Sequence, residues 1–420
     1  DTAVLIPESM RIRENAGDNK AAAFLNFFLL VYFAIGILFL VLMYFFGTTV
    51  FGLISKFSKA DILIYQNYFW AGSFFFIFHV LTNYLNSILT SLKYFSIPMI
   101  ISSFKSCIAI VCIFLLKAEY DVLAVFLGGL IAYAVNLIIQ LYVLRKIAAW
   151  SFSFSSAGIR KKVWGNVVYA ELGQMATVAS SMFPLYLLSG FGNGIISVMN
   201  YGKNIADVPN TLVTSQFANV SGIKLNEQVA VVDHAGMNDT FLRTSKLVVF
   251  LLVPMGFYLF VFASPVVELF YRSGNFNTVA VTESAMFLKL LAVTIFSIGI
   301  NAMVTRVLIA MQAIKQAFFY QLSLNILLIT AIWLCRKQYW AYGYPYCVII
   351  MNMVNFFAMY FLCKKLIPHI KYADVLKYTV LIILINAAIA TGLYFTVSYF
   401  KLGVLLNIIL GFLVYLIVLL

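Results

Sequence analysis

Charge is scarce in this chain. Of its 420 residues only 10% are Asp, Glu, Lys or Arg, where an ordinary soluble domain has about a quarter. A soluble fold of this size needs a polar surface that such a composition cannot supply. Soluble enzymes and disordered chains are therefore excluded. Cysteine is also sparse: Cys107, Cys112, Cys335, Cys347 and Cys363 lie in or beside apolar runs, none in CxxC spacing. Neither a metal knuckle nor a disulfide scaffold is indicated. There is no GxSxG, HExxH, GKS/T or paired acidic motif, so no enzyme, metal or cofactor is expected. No signal peptide precedes Asp1, and Leu420 ends inside an apolar run. Both ends read as cuts, with further sequence expected ahead of residue 1.

What the chain has instead is apolar length. Apolar residues make up 63%, aromatics 17%, and mean hydropathy is +0.98. Twelve apolar segments are long enough to cross a bilayer: 21–46, 63–91, 95–116, 122–144, 164–188, 194–221, 241–263, 282–305, 316–335, 341–363, 374–398 and 402–420. The runs are continuous and too long for barrel strands. The expected fold is an all-α polytopic membrane protein.

Net charge is +13. A basic total can signal nucleic acid, but here Lys and Arg sit in short clusters between apolar runs. That is the pattern of cytoplasmic loops facing anionic lipid, so no nucleic-acid partner is expected. With residues 1–20 cytoplasmic, the bias toward that side holds through all twelve spans; Arg145–Lys146, Arg160–Lys162, Lys224, Arg243 and Lys364–Lys365 all fall there. The serine-rich stretch 151–163 reads as a linker between two bundles. No internal repeat is evident.

Ionisable groups inside spans are costly unless paired or hydrated, and therefore informative. At 100° per residue, Asn200, Lys203, Asn204, Asp207, Thr211 and Thr214 share one helix face. Lys203 and Asp207 are four apart and can pair; Pro209 removes a backbone donor just beyond them. Two readings fit: the wall of a hydrated cavity, with Lys203 as counter-charge to an anionic headgroup, or a polar contact between helices. Glu171 reads as a proton or cation site, or as an interfacial carboxylate. Lys289 and Lys105 lie mid-span and either line the cavity or snorkel. Arg306 reads as a rim anchor or a gate. His79 reads as a packing residue, and His234 and His369 as loop residues.

Three stretches carry a family resemblance: Tyr201-Gly202-Lys203-Asn204-Ile205-Ala206-Asp207-Val208-Pro209, Leu269-Phe270-Tyr271-Arg272-Ser273-Gly274-Asn275-Phe276, and Arg306-Val307-Leu308-Ile309-Ala310-Met311-Gln312. In order and spacing they resemble the MurJ-type (MviN) lipid II flippases of the multidrug/oligosaccharidyl-lipid/polysaccharide exporter superfamily. The likeness covers 7–420, and 7–28 looks like the loop after that family's second helix. The family has two helices more than the twelve here, which places its first two before residue 1. The resemblance implies two six-helix lobes around a cationic cavity and a final helix pair. On this chain these are 1–150 (the rest of the first lobe), the linker 151–163, 164–366 (the second lobe) and 367–420. Lys203, Asn204 and Asp207 take the family's acid, arginine and acid places. The arginine place is Asn204 here, with a lysine one residue earlier. The Gln-Asp-x-x-x-Pro continuation is lost after Gln312.

The resulting expectation is a flippase in the bacterial inner membrane. It would carry a polyprenyl-pyrophosphate-linked glycan, such as lipid II, by alternating access. Lys203, Asn204, Asp207, Asn200, Lys289 and Arg306 would bind the headgroup, and Glu171 would couple a cation. The partners are the lipid-linked saccharide and membrane lipids. The alternatives are a drug or small-molecule exporter of the same superfamily and a non-transporting scaffold. A membrane-embedded glycosyltransferase would need a large extramembrane loop, which the sequence lacks.

Overall fold

The computed structural model describes residues 2–57, 59–94, 96–148, 150–153, 161–191, 194–272, 276–335, 340–400 and Leu413. Among the described residues every regular element is helical. Each predicted segment up to 374–398 is occupied by a helix or a helix run; 402–420 lies outside the described residues, apart from Leu413. Among the described residues eight helices are long and apolar enough to cross a bilayer, or nine if one bent pair counts as a single span. The protein is an all-helical, multi-pass membrane protein.

The chain divides into two compact units, Asp1–Glu171 and Leu172–Leu420. The first contains α1 (Thr2–Ala16), α2 (Asp18–Ile54), α3 (Lys59–Ile64), α4 (Gln66–Ser91), α5 (Ser96–Tyr120), α6 (Leu123–Lys146) and the start of α7 (Lys161–Leu188). The resemblance led to a loop at 7–28, and here the structure corrects it. Residues 2–16 are helical and pack on α2, burying Val4, Leu5 and Ser9. Gly17 turns the chain at φ 88°, and Arg13 pairs with Asp18 across the turn at 2.9 Å. A left-handed residue at this point suits glycine. The loop reading failed because polar residues dominate 8–20, yet α1 needs only one apolar face to pack.

The 37 residues of α2 make a rod about 55 Å long. That exceeds the hydrocarbon layer of about 30 Å. Its rings pack on α4 through Phe39–Phe76, Tyr44–Trp70 and Phe51–Phe69, with centroids 4.4, 4.5 and 3.8 Å apart. Leu38, Phe45 and, on α5, Leu115 stay largely exposed, as suits a lipid-facing surface. The backbones of α5 and α6 approach closely at Gly128, where an added Cβ would lie 3.0 Å from the Ile113 nitrogen. Small residues at such crossings replace the hydrophobic drive that lipid removes.

Asn26 ties Trp150, Ser151 and Ser153, at the start of the predicted linker, to this unit. It is fully buried. It accepts from Trp150 Nε1 at 2.8 Å and donates to the carbonyls of Ser151 and Ser153 at 2.7 and 2.8 Å. Residues 154–160 of the predicted linker lie outside the described residues. Asn26→Ala leaves the indole N–H and two carbonyls without their partner. The expected cost is about 2–3 kcal/mol, read as a lower melting temperature; an unchanged midpoint would show the clamp to be idle.

The second unit holds the rest of α7, then α8 (Ile195–Pro209), a π-turn (Asn210–Thr214), α9 (Ser215–Ala230), α10 (His234–Val261), α11 (Ala263–Tyr271), α12 (Thr278–Ala292), α13 (Ile295–Ala310), α14 (Ile314–Cys335), α15 (Gly343–Leu366) and α16 (Tyr372–Phe400). Its core runs through α9, α10, α12, α13, α15 and α16, with Val248, Leu252, Leu288, Ile300, Phe356 and Tyr372 inside. The predicted single span 282–305 is bent by 43° between α12 and α13. No proline sits there. Thr294 instead donates to the Leu291 carbonyl, and Ser297 to that of Thr294, both at 2.8 Å. Such hydroxyls compete with the helical ladder and favour a break.

Candidate headgroup site on the broken helix

The candidate site is built on α8. Gly194, at φ 93°, starts the helix. Pro209 has no N–H, so one carbonyl of the preceding turn goes without its helical donor. The chain responds with a π-turn at 210–214 and with side-chain bonds. Thr211 Oγ1 donates to the Asp207 carbonyl at 3.0 Å, and Ser215 Oγ to that of Asn210 at 3.3 Å. Breaks of this kind recur at functional sites.

Lys203 Nζ donates to Asp207 Oδ2 at 2.6 Å. The two side chains are 42% and 49% exposed. The pair thus faces open space and is not sealed in a dry seam. Asn204 and Thr211 are exposed and Asn200 is half-buried. Thr214 departs from the predicted stripe. It is buried, and its hydroxyl donates to Asn210 Oδ1 at 2.8 Å. The π-turn inserts an extra residue per turn, so extrapolation from a straight helix fails beyond 210. The polar line continues instead through Ser215 and Asn219, both exposed.

Arg306 joins that line. Its Nη2 donates to Asn219 Oδ1 at 2.8 Å, bridging α13 and α9. Gly222 makes room for the arginine stem, since an added Cβ there would meet Arg306 Cδ at 3.2 Å. Asn219 was not singled out from the sequence. Its signal, one more polar residue at four-residue spacing after Asp207, Thr211 and Ser215, emerges only once the π-turn is known.

Lys289 is half-buried on α12. No ion pair or hydrogen bond joins it to the α8 pair among the described residues. The helices α8 and α12 nevertheless touch backbone to backbone: a Cβ on Gly202 would lie 2.5 Å from the Ser284 oxygen and 2.9 Å from the Leu288 nitrogen. Gly202 therefore sets where its neighbour Lys203 stands. The first and second family stretches also meet, because Tyr201 packs on Tyr271 and Phe276 with centroids 4.6 and 5.0 Å away. Ser273, Gly274 and Asn275 lie outside the described residues.

Glu171 belongs to the first unit. The Tyr32 hydroxyl donates to Glu171 Oε1 at 3.4 Å, and the Tyr32 ring packs on Tyr84 at 5.2 Å. Lys105 sits with its ammonium 4.2 Å from the centre of the Tyr133 ring, a cation–π contact. The Tyr133 hydroxyl lies 3.2 Å from His79 Nδ1, and Asn83 Nδ2 lies 2.8 Å from His79 Nε2. Lys105 and His79, read separately in the sequence, thus belong to one polar cluster.

Residues 2–412 match the family described as "Lipid II flippase MurJ". The chain belongs to the MurJ lipid II flippase family. This is a family of transporters. Solved structures agree on the fold. A lipid II flippase MurJ in an inward closed conformation is similar at TM-score 0.73 and 18% identity, over 99% of this chain and 88% of that one. A MATE transporter of Vibrio cholerae reaches TM-score 0.69 at 16% identity, over 88% and 85%. An outward-facing multidrug resistance MATE transporter of the MOP superfamily reaches 0.66 at 13%, over 93% and 84%. No curated protein sequence matches the chain. The MurJ-type resemblance read from the three stretches thus has both a family match and a fold match.

Proposed function

We propose that the protein translocates a polyprenyl-pyrophosphate-linked glycan precursor across the bacterial inner membrane by alternating access. The physical problem is the headgroup. Unpaired charge cannot be buried in hydrocarbon without a large penalty. A polar face with fixed cations and amides replaces its hydration while the tail stays in lipid. The observation that supports this reading is the half-exposed Lys203–Asp207 pair on α8, continued by Asn204, Thr211 and the Asn219–Arg306 bridge.

In this reading Lys203, Lys289 and Arg306 supply positive charge, and Asn200, Asn204 and Asp207 orient the saccharide or the lysine. Positive groups suit a pyrophosphate better than a cationic drug, which disfavours the small-molecule exporter of the same fold. The sequence holds no nucleotide-binding motif, so in this reading the energy comes from an ion gradient, the membrane potential or downhill flux of the substrate. One charge moved through 100 mV is worth about 2.3 kcal/mol. Glu171, hydrogen-bonded by Tyr32, is the candidate for coupling a cation.

The test is reconstitution. Purified protein in vesicles, supplied with a fluorescent polyprenyl-pyrophosphate glycan, should move the probe between leaflets faster than protein-free vesicles do. Equal rates with a potential applied, in either orientation, would reject the proposal.

A further inference from the structure

A second polar site lies at the far end of the same helix run, away from the headgroup pair. Between α9 and α10 is a cavity of about 170 Å³, room for a phosphate group with several waters. Lys224 reaches it from α9, and Arg243 and Thr244 from α10. Lys224 is exposed and forms no ion pair among the described residues. Arg243 uses its Nε on Asp239, at 2.8 Å. Its terminal amino groups remain for an oxyanion. With Asp239 counted, the cavity carries one net positive charge.

We propose that this cavity binds the phosphate of an anionic phospholipid. Two cations and a threonine hydroxyl converging from two helices match a phosphodiester, which accepts several charge-assisted bonds at once. The apolar lining argues for a lipid over free phosphate. Phe217 and Val220 line the cavity beside the cations, and Val220 is 55% exposed. An acyl chain uses that surface; inorganic phosphate does not.

Position points the same way. The helix α10 has 28 residues, whereas about 20 suffice to cross the hydrocarbon. Its first turns hold Asn238, Asp239, Thr240, Arg243 and Thr244, so this end stands at headgroup depth. The Lys and Arg bias of the sequence assigns that end to the cytoplasmic side, where anionic lipid is concentrated. The lipid would sit at the foot of the α8–α9 run that carries Lys203. This inference stands apart from the transport reading, since neither Lys224 nor Arg243 belongs to the headgroup site.

The experiment is native mass spectrometry of the purified protein titrated with phosphatidylglycerol or phosphatidylcholine. Phosphatidylglycerol should be retained preferentially. Lys224→Ala and Arg243→Ala should each weaken its retention roughly fivefold, and the double variant about thirtyfold. Lys246→Ala is the control, because that lysine lies over the Tyr378 ring, 5.7 Å from its centre, and should change nothing. All these side chains are removable without opening the core; melting temperatures check this, and the single variants decide if the double one is unstable. Equal retention of the two lipids, or unchanged retention in the double variant, overturns the proposal. So does displacement of phosphatidylglycerol by millimolar inorganic phosphate, which would make free phosphate the ligand.

Discussion

Replacing Lys203 by alanine should slow lipid translocation roughly 10- to 100-fold while leaving the folded protein intact. The two effects separate because they draw on different energies. A charge-assisted bond from an ammonium to a headgroup phosphate is worth about 1.5–3 kcal/mol, and losing it gives that range of rates. The partner inside the protein is Asp207, four residues along the same helix at 2.6 Å. A half-exposed pair of this spacing contributes only about 0.3–0.5 kcal/mol to stability. Melting temperature should therefore hardly move. The decisive variant is the swap, Lys203→Asp with Asp207→Lys. It preserves an ion pair but shifts the cation one helical turn. If Lys203 meets the substrate, the swapped protein stays slow. Transport at the original rate in the swapped protein would reduce the pair to a structural contact.

Gly202→Val is expected to cost stability outright, about 3 kcal/mol or more. An added Cβ at residue 202 would lie 2.5 Å from a main-chain oxygen and 2.9 Å from a main-chain nitrogen of α12. Overpacking against side chains costs about 1–3 kcal/mol because they can turn aside; backbone in mid-helix has no rotamer to change. The helices must part, and Lys203 moves with α8. Even Gly202→Ala should lower the thermal midpoint. Ser284→Gly should not rescue it, because the nearest obstacle is the Ser284 carbonyl and not its hydroxyl. A Gly202→Ala protein melting with the parent would mean that the two helices are looser than 2.5 Å allows.

Much of the fold was legible because lipid imposes a simple rule: backbone in hydrocarbon must satisfy its own hydrogen bonds, so long apolar runs become helices. The segments 21–46 to 374–398 could be drawn from hydropathy alone. The same rule says nothing about segments that pack on one face only. It gives no signal for a short helix ahead of 21–46, where the resemblance implies a loop at 7–28, nor for the bend at Thr294, because hydroxyl competition leaves no hydropathy signal.

The site divides along the same line. The Lys203–Asp207 pair follows from four-residue spacing on one helix and needs no tertiary knowledge. Thr214 was misplaced because Pro209 signals a break without saying whether the turn tightens or widens. Asn219 and Arg306 are 87 residues apart, and no local pattern links them. His234 and His369, read as uninformative loop residues, stack with centroids 4.0 Å apart for the same reason.

The sequence by itself determined the solvent, the helical character, the family and the charged helix face, since each depends on composition or on spacing within one segment. Only the tertiary structure decided which way that face turns after the proline, that Arg306 extends it, how closely Gly202 brings two backbones together, and that Lys224 and Arg243 share a cavity. These depend on distances between segments, which are set by packing shape, and shape is not encoded in any one stretch of the chain.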